Sequence, residues 1–401
     1  MDVYVFDAVR TPRGKGSPKG SLASVAPANL TTQLVDALRA RNGAEAIAAT
    51  DVFALGCVTQ TGAQGGHIGL ATRVQAKLPD ASAVLTVNNF CVSGLSAISE
   101  ATRRVALGES KLALAGGVES MSHVAFMTDN APYYNDPKLI QHMAWAPPGL
   151  AADLLAAREG IGREALDAAT LRSHQRASAA WKAGRYARRV MPIHNASGEV
   201  ALAHDENVRD YNDVEALRAF KPVFADMGAA GFDAVLLSNY PDMDKLEHTH
   251  TLAHCPPISD GAALALLGTH EAGEALGLKP IARIRAFAEV GGDHVLQLTA
   301  GFRAMDLALE RAGLTLKDVG AIEFMEAFAG VPVKFERDYA PDMDRVNPNG
   351  GHLAMGHPMG ATGAILFAAA LDSMEDLDSD LGLIVATGGV GVGAAMVLER
   401  I

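Results

Sequence analysis

Short apolar runs and helical repeats alternate along two stretches of this chain, and the stretch between them breaks the pattern. In the first stretch, apolar runs of strand length cover residues 3–6, 52–58, 83–87 and 111–115. Between them lie runs with apolar residues at helical spacing, over 27–39, 70–76 and 95–107. From about residue 119 to 247 aromatic, proline and charged residues become frequent, among them Tyr133, Tyr134, Trp145, Pro147, Pro148 and Trp181. Only residues 164–184 keep a helical period there. After His248 the alternation returns: strands over 260–267, 281–288, 319–324, 383–386 and 394–398, and helices over 271–276, 302–312 and 364–371. Strands interleaved with helices predict an α/β fold, and the middle reads as an inserted loop-and-helix region.

The two outer stretches resemble each other. The first carries a loop with Cys91, an alanine-rich helix, a strand and Gly116-Gly117-Val118. The second carries a glycine-rich loop with His357, an alanine-rich helix, a strand and Gly388-Gly389-Val390. Self-similarity of this kind points to duplication. Two halves packed as pseudo-twofold mates would bring Cys91 and His357 to helix N-termini facing one cleft. A helix N-terminus favours thiolate over thiol. A cysteine beside a histidine forms an activated nucleophile and its base, and neighbouring glycines let backbone N–H groups approach a reacting oxygen. The opposite reading stays open, because free cysteine is among the most buried residue types. Cys57, after a strand-like run, reads as that kind of core thiol. His357 has little apolar surface around it and reads as functional. His352 and Glu326 could each be structural or chemical.

Composition narrows the classes. The 401 residues are 49% apolar and 20% charged, enough for a large core in two or three domains. A net charge of −12 excludes nonspecific nucleic-acid binding as a main role. A local basic segment opposes that total: Arg158, Arg163, Arg172, Arg176, Lys182, Arg185, Arg188 and Arg189. It would suit a phosphate-bearing ligand or be a solvated face. No apolar run suits a membrane span, and residues 1–6 read as a strand of the fold and not a signal peptide. Three cysteines at 57, 91 and 255 give neither a disulfide framework nor metal spacing, so a reducing cytoplasm is expected and no metal. The run from Gly388 to Gly393 lacks the lysine of a phosphate loop and the spacing of a dinucleotide fingerprint.

Several motifs together resemble the thiolases (acetyl-CoA acyltransferases) from end to end. They are Val9-Arg10-Thr11-Pro12, Asn89-Phe90-Cys91-Val92-Ser93-Gly94, Gly116-Gly117-Val118-Glu119-Ser120-Met121-Ser122, Glu326-Ala327-Phe328-Ala329, Asn347-Pro348-Asn349-Gly350-Gly351 and Gly356-His357-Pro358-Met359-Gly360-Ala361-Thr362-Gly363. The segment over 231–251 is similar to a subgroup met in bacterial steroid or other degradative clusters. The resemblance implies a five-layered α-β-α-β-α fold. Residues 1–118 with 248–278 would form one half, 279–401 the other, and 119–247 an inserted loop domain that binds coenzyme A. It implies acyl-CoA and coenzyme A as substrates, no permanently bound cofactor, no nucleic-acid or membrane partner, and a homodimer or homotetramer.

Residue by residue, the resemblance gives Cys91 the acyl thioester, His357 the base and Glu326 a supporting part. Arg209, Lys221 and Pro256 fall where coenzyme A would lie. Three positions depart from the family pattern. Thr387 stands where the family has its second cysteine, and a hydroxyl is too weak an acid to replace a thiol. Met325 replaces the asparagine or histidine that holds an oxyanion-hole water. His254-Cys255-Pro256-Pro257 replaces small polar residues, so His254 or Cys255 is a candidate for a relocated acid/base. The main expectation is cleavage or formation of a 3-ketoacyl-CoA through Cys91. The alternatives are an acyltransferase that has lost the α-proton chemistry, and a non-catalytic acyl-CoA-binding partner subunit.

Overall fold

A computed structural model of the chain describes residues 1–211 and 213–401. Its main sheet contains β1 (Val3–Arg10), β2 (Val52–Gly56), β3 (Ala83–Val87), β4 (Leu112–Ser120), β5 (Ser259–Gly268), β6 (Ala282–Gly291), β7 (Ala321–Phe324), β8 (Leu381–Gly388) and β9 (Val392–Arg400). The spatial order is β7-β8-β9-β6-β1-β5-β4-β2-β3, and β1 and β6 join the two halves antiparallel.

The duplication expected from the sequence is visible as topology. In the first half β2 runs parallel to β3 and β4, β4 antiparallel to β5, and β5 antiparallel to β1. In the second half β7 runs parallel to β8, β8 antiparallel to β9, and β9 antiparallel to β6. The counterpart of β3 has shrunk to a parallel bridge between Ile322 and Val346. Numbering each half by chain order gives the same arrangement, 3-2-4-5-1.

Helices fill the layers. The outer ones, α1 (Pro27–Asn42) and, beyond the second half, Ala300–Ala312, bury a single face: Leu30, Leu34, Val35 and Leu38 in one, Phe302, Met305, Ala308 and Leu309 in the other. That is the stripe of an amphipathic helix lying on a sheet. The inner pair is α2 (Ser93–Ala106) and, in the second half, Met359–Asp376. The second of these is buried nearly all round, as a helix between two sheets must be. The inner helices cross at glycines. A Cβ on Gly94 would lie 2.8 Å from Ala364 N, and one on Gly363 would lie 2.5 Å from Leu95 N. Only hydrogen fits at this crossing. The result is the α-β-α-β-α arrangement.

Several element bounds differ from the sequence expectation for one reason. The inner helix starts at Met359, not at 364, and β4 runs on through Gly116-Gly117 to Ser120. Propensity reads these glycines as loop, whereas close packing of backbones requires them inside elements. The middle stretch contains α3 (Pro148–Glu159), α4 (Arg163–Lys182), shorter helices and the hairpin of Ile193–His194 with Val200–Leu202. Pro148 reads as a loop residue but opens α3, where a missing N–H costs nothing. We keep the labels α5 for Ala300–Ala312 and α6 for Met359–Asp376 below. Among the described residues, no helix is long and apolar enough to cross a membrane.

Candidate active site

The crossing of α2 and α6 fixes the site. Cys91 precedes α2 by two residues, and His357 precedes α6 by two residues. Both line one cavity of about 300 Å³. Glu119, at the end of β4, ties the two loops together. Its buried carboxylate accepts from Val58 N (2.9 Å), Thr59 N (3.2 Å), Gln64 Nε2 (2.7 Å) and Gly360 N (2.8 Å). The cavity walls are apolar and aromatic: Phe90 from the nucleophile half, Met121, Phe126, Tyr134, Trp145, Pro148 and Phe224 from the middle stretch, and Phe328 and Met359 from the second half.

The backbone N–H groups of Gly389 and of Cys91 itself lie near enough to the Cys91 sulfur to favour its charged form. Two donors converging on one point are what a tetrahedral oxyanion requires. Burial nevertheless pushes the thiol up to about 11, with the Gly389 bond opposing it. The expected helix-end thiolate is therefore corrected: desolvation outweighs the helix end, and the resting group is a thiol.

His357 has a defined tautomer. Its Nδ1 lies 2.7 Å from Thr362 Oγ1, and that hydroxyl donates to Pro358 O at 3.0 Å. The single hydroxyl proton is spent on the carbonyl, so His357 Nδ1–H is the donor to Thr362. Nε2 is left as the lone pair. Burial, with the charge of Arg13 second, lowers its pKa to about 3. A neutral base thus stands in the same cavity as a neutral thiol.

The positions expected to depart from the family pattern fall in different places. Thr387 is buried at the end of β8, its Oγ1 has no hydrogen-bond partner among the described residues, and it is absent from the cavity wall. A Cβ on Gly301 would touch its Cβ at 3.1 Å, so the side chain faces α5. Met325 packs in the core, away from the cavity. Cys255 lines the cavity, its thiol donates to Thr251 O at 3.2 Å, and burial followed by the charge of Asp153 pushes it up to about 12. His254 does not line it. Its Nδ1 accepts from Thr251 N at 3.1 Å, and its Nε2 lies 2.7 Å from Asp167 Oδ1. With both nitrogens committed and burial lowering its pKa to about 4, His254 is a capping residue, which corrects its candidacy as an acid/base.

Glu326 is a brace. It accepts from Ser173 Oγ at 2.7 Å, Leu353 N at 3.0 Å and Asn347 Nδ2 at 3.2 Å, and it joins α4 to the loops before His357. Cys57 is fully buried. Pro256 lines the cavity; Arg209 and Lys221 are exposed and do not. Arg209 donates to Glu206 O and Val208 O in its own loop.

The basic segment is corrected most. Arg163 pairs with Asp167, Arg172 with Glu336, Arg176 with Asp344, Lys182 with Asp210, and Arg188 and Arg189 with Asp372 and Glu375. Arg172, Arg176, Arg188 and Arg189 hold the middle stretch onto the second half, Arg163 and Lys182 pair within it, and these charges are already answered. A count of cations along the sequence cannot show carboxylates contributed from afar. The residues the sequence reading missed are Thr362, inside a motif, and Arg13, directly after one; their role is set by partners far away or across a helical turn. Among the described residues no group of three or more His, Cys, Asp or Glu is placed to hold a metal ion.

Comparison with known proteins agrees with this geometry. Residues 3–232 match the family model "Thiolase, N-terminal domain", and residues 278–400 match "Thiolase, C-terminal domain". The chain is 36% identical to a 3-ketoacyl-CoA thiolase of Escherichia coli O1:K1 / APEC and to one of Shigella sonnei (strain Ss046), each over 100% of this chain and 99% of the relative. A 3-ketoacyl-CoA thiolase of Escherichia fergusonii is 35% identical over the same shares. On fold, site geometry and these matches, the chain belongs to the thiolase family.

Proposed function

We propose that this protein is a thiolase-type acyl-CoA acyltransferase that cleaves 3-ketoacyl-CoA with coenzyme A, with Cys91 as nucleophile, His357 as its base and Cys255 as the second acid/base. The observation that carries the reading is that Cys91, His357 and Cys255 line one apolar cavity from which Thr387 is absent.

The steps balance on these groups. Cys91 Sγ attacks the C3 ketone as its proton passes to His357 Nε2. The oxygen's developing charge meets the N–H groups of Gly389 and Cys91. The C2–C3 bond breaks, its electron pair goes to C2, and the Cys255 thiol delivers a proton there to release acetyl-CoA. The Cys255 thiolate then takes the proton of an incoming coenzyme A thiol, whose sulfur attacks the acyl-Cys91 thioester. His357 returns its proton to Cys91 as the acyl-CoA leaves. A thiol held protonated by burial suits the first of these tasks, which is to donate.

The inserted stretch, 119–247, contributes Tyr134, Trp145, Pro148 and Phe224 to the cavity and is our coenzyme A domain. Lys221, exposed and three residues before Phe224, is available to a phosphate at the mouth, and Pro256 would flank the pantetheine arm. The open edge of β3, partly exposed and apolar, suits pairing with a second copy of the chain.

The test is to incubate the protein with acetyl-CoA and read Cys91 acylation by mass spectrometry, and separately to mix it with acetoacetyl-CoA and coenzyme A and follow acetyl-CoA release. Cleavage that survives Cys255→Ser removes Cys255 from the scheme. A protein that never acylates on Cys91 removes the scheme altogether. Acylation without cleavage would leave only an acyltransferase that has lost its α-proton chemistry.

A further inference from the structure

Behind the loop of His357 lies a closed chamber of about 10 Å³, room for roughly one water. Arg10, Arg13, Glu323, Asn349 and His352 line it. Arg13 is almost wholly buried, which is rare for an arginine and costly without a direct counter-charge. Its Nη1 donates to Gly356 O at 3.0 Å, and its Nε has no partner among the described residues.

The nearby acids are committed elsewhere. Asp205 takes the Arg10 guanidinium with two bonds of 2.8 Å and meets Arg13 only through the Arg13 backbone N–H, also at 2.8 Å. Glu323 accepts from Ser373 Oγ at 2.6 Å, and burial pushes its carboxyl up to about 8, so it is largely neutral near pH 7. Asp372 is paired with Arg188 and Arg189. Among the described residues, the Arg13 guanidinium donates to the carbonyl that precedes His357. Gly356 itself is held at φ 101°, a conformation that needs glycine.

Resting on the reading of His357 as the base, we propose that Arg13 is a positioning residue for it. The buried guanidinium clamps the Gly356–His357 peptide and places a fixed positive charge behind the imidazole, so the ring is held in place and kept neutral. Thr362 fixes the tautomer from the front; Arg13 fixes the loop and the field from behind. Other titratable groups meet the same region. His352 stands 5.8 Å from the His357 ring, edge-on, with neither nitrogen partnered among the described residues. Cys91 and Cys255 share its cavity, Glu119 is bonded to Gly360 N, and Arg10, Tyr186 and Asp205 surround Arg13. Burial and Arg13 lower the pKa of His357, and burial, Arg13 and His357 lower that of His352, so neither ring offers a competing charge.

The test separates charge from clamp. The protein is labelled with 13C at histidine Cε1, the His357 signal is assigned by its loss in His357→Asn, and the signal is titrated alongside kcat and KM. In Arg13→Met the His357 midpoint rises by about one pH unit or more, because a neighbouring charge is removed. In Arg13→Lys the midpoint stays near that of the native protein, while kcat drops about tenfold or more with KM little changed, because the charge remains and the clamp is lost. A folded Arg13→Met whose His357 titrates like the native protein overturns the proposal. If Arg13→Met does not fold, Arg13→Lys decides: native kcat with a moved midpoint overturns it equally. A native protein that forms no acyl-enzyme would sink the acyltransferase reading, and the histidine signal would still decide the part played by Arg13.

Discussion

At the scale of single residues, the site is a pair of neutral groups given direction by their neighbours. Thr362 has one hydroxyl proton and spends it on Pro358 O, which obliges His357 to donate from Nδ1 and face the cavity with a lone pair. Replacing Thr362 by Val removes that acceptor and frees the ring to adopt the wrong tautomer. We expect kcat to drop by about tenfold or more with KM little changed, measured by steady-state thiolysis. Thr387→Cys is the complementary case. Thr387 turns toward α5 and not toward the cavity, so a thiol there should not raise thiolysis. A clear gain in rate would show that this position reaches the substrate after all. Cys255→Ser should abolish cleavage of acetoacetyl-CoA while acetyl-CoA still acylates Cys91, read by peptide mass spectrometry.

At the scale of elements, the decisive contact is the crossing of α2 and α6. The two helices approach until only hydrogen fits at Gly94 and Gly363, and this approach brings Cys91 and His357 to one cavity. Gly363→Val would force its new Cβ against Leu95, whose backbone cannot withdraw without moving α2. We expect a loss of about 1–3 kcal/mol in stability by chemical denaturation, with a parallel fall in Cys91 acylation at temperatures where the variant stays folded. A variant equally stable but inactive would show that the crossing aligns the site without supporting the fold. The sequence announced these glycines only as loop. It could not show that each half's glycines serve the packing of the other half's helix.

At the scale of the whole molecule, buried neutral histidines couple folding to pH. Burial lowers His174 and His254 to about 4 and His357 to about 3, and holds His352 well below its ordinary value. All four fall below their unfolded value of about 6.5, so below that pH the unfolded chain binds protons that the folded chain refuses. Stability is therefore lost as pH falls from about 6.5 toward 4, by about 1.4 kcal/mol per pH unit for each group once fully engaged. Glu323, raised to about 8, acts in the opposite sense between about 8 and 4.5, and burial raises Glu119, Asp260, Glu326 and Asp372 in the same direction, whereas Asp153 and Asp205 are lowered and act with the histidines. We expect the denaturation midpoint to be higher at pH 7 than at pH 5. His174→Gln, at a site remote from the cavity wall, should lessen that difference. A His174→Gln variant with an unchanged pH dependence would mean that this ring is not held neutral by burial.

The sequence by itself determined the α/β alternation, the duplication, the inserted stretch and the pair Cys91 and His357. These are carried by local periodicity and by motifs that repeat, so a single chain displays them. It also singled out Cys255 and Thr387 as departures. Tertiary structure alone decided which departure faces the cavity, because that depends on side-chain direction at the end of β8 and in the loop before β5. It alone showed that the basic segment is paired, since the answering carboxylates of Glu336, Asp344, Asp372 and Glu375 lie more than a hundred residues away. It alone set the protonation of the site: the helix end that favours a thiolate is a local feature, whereas the burial that overrules it is the sum of everything packed around Cys91.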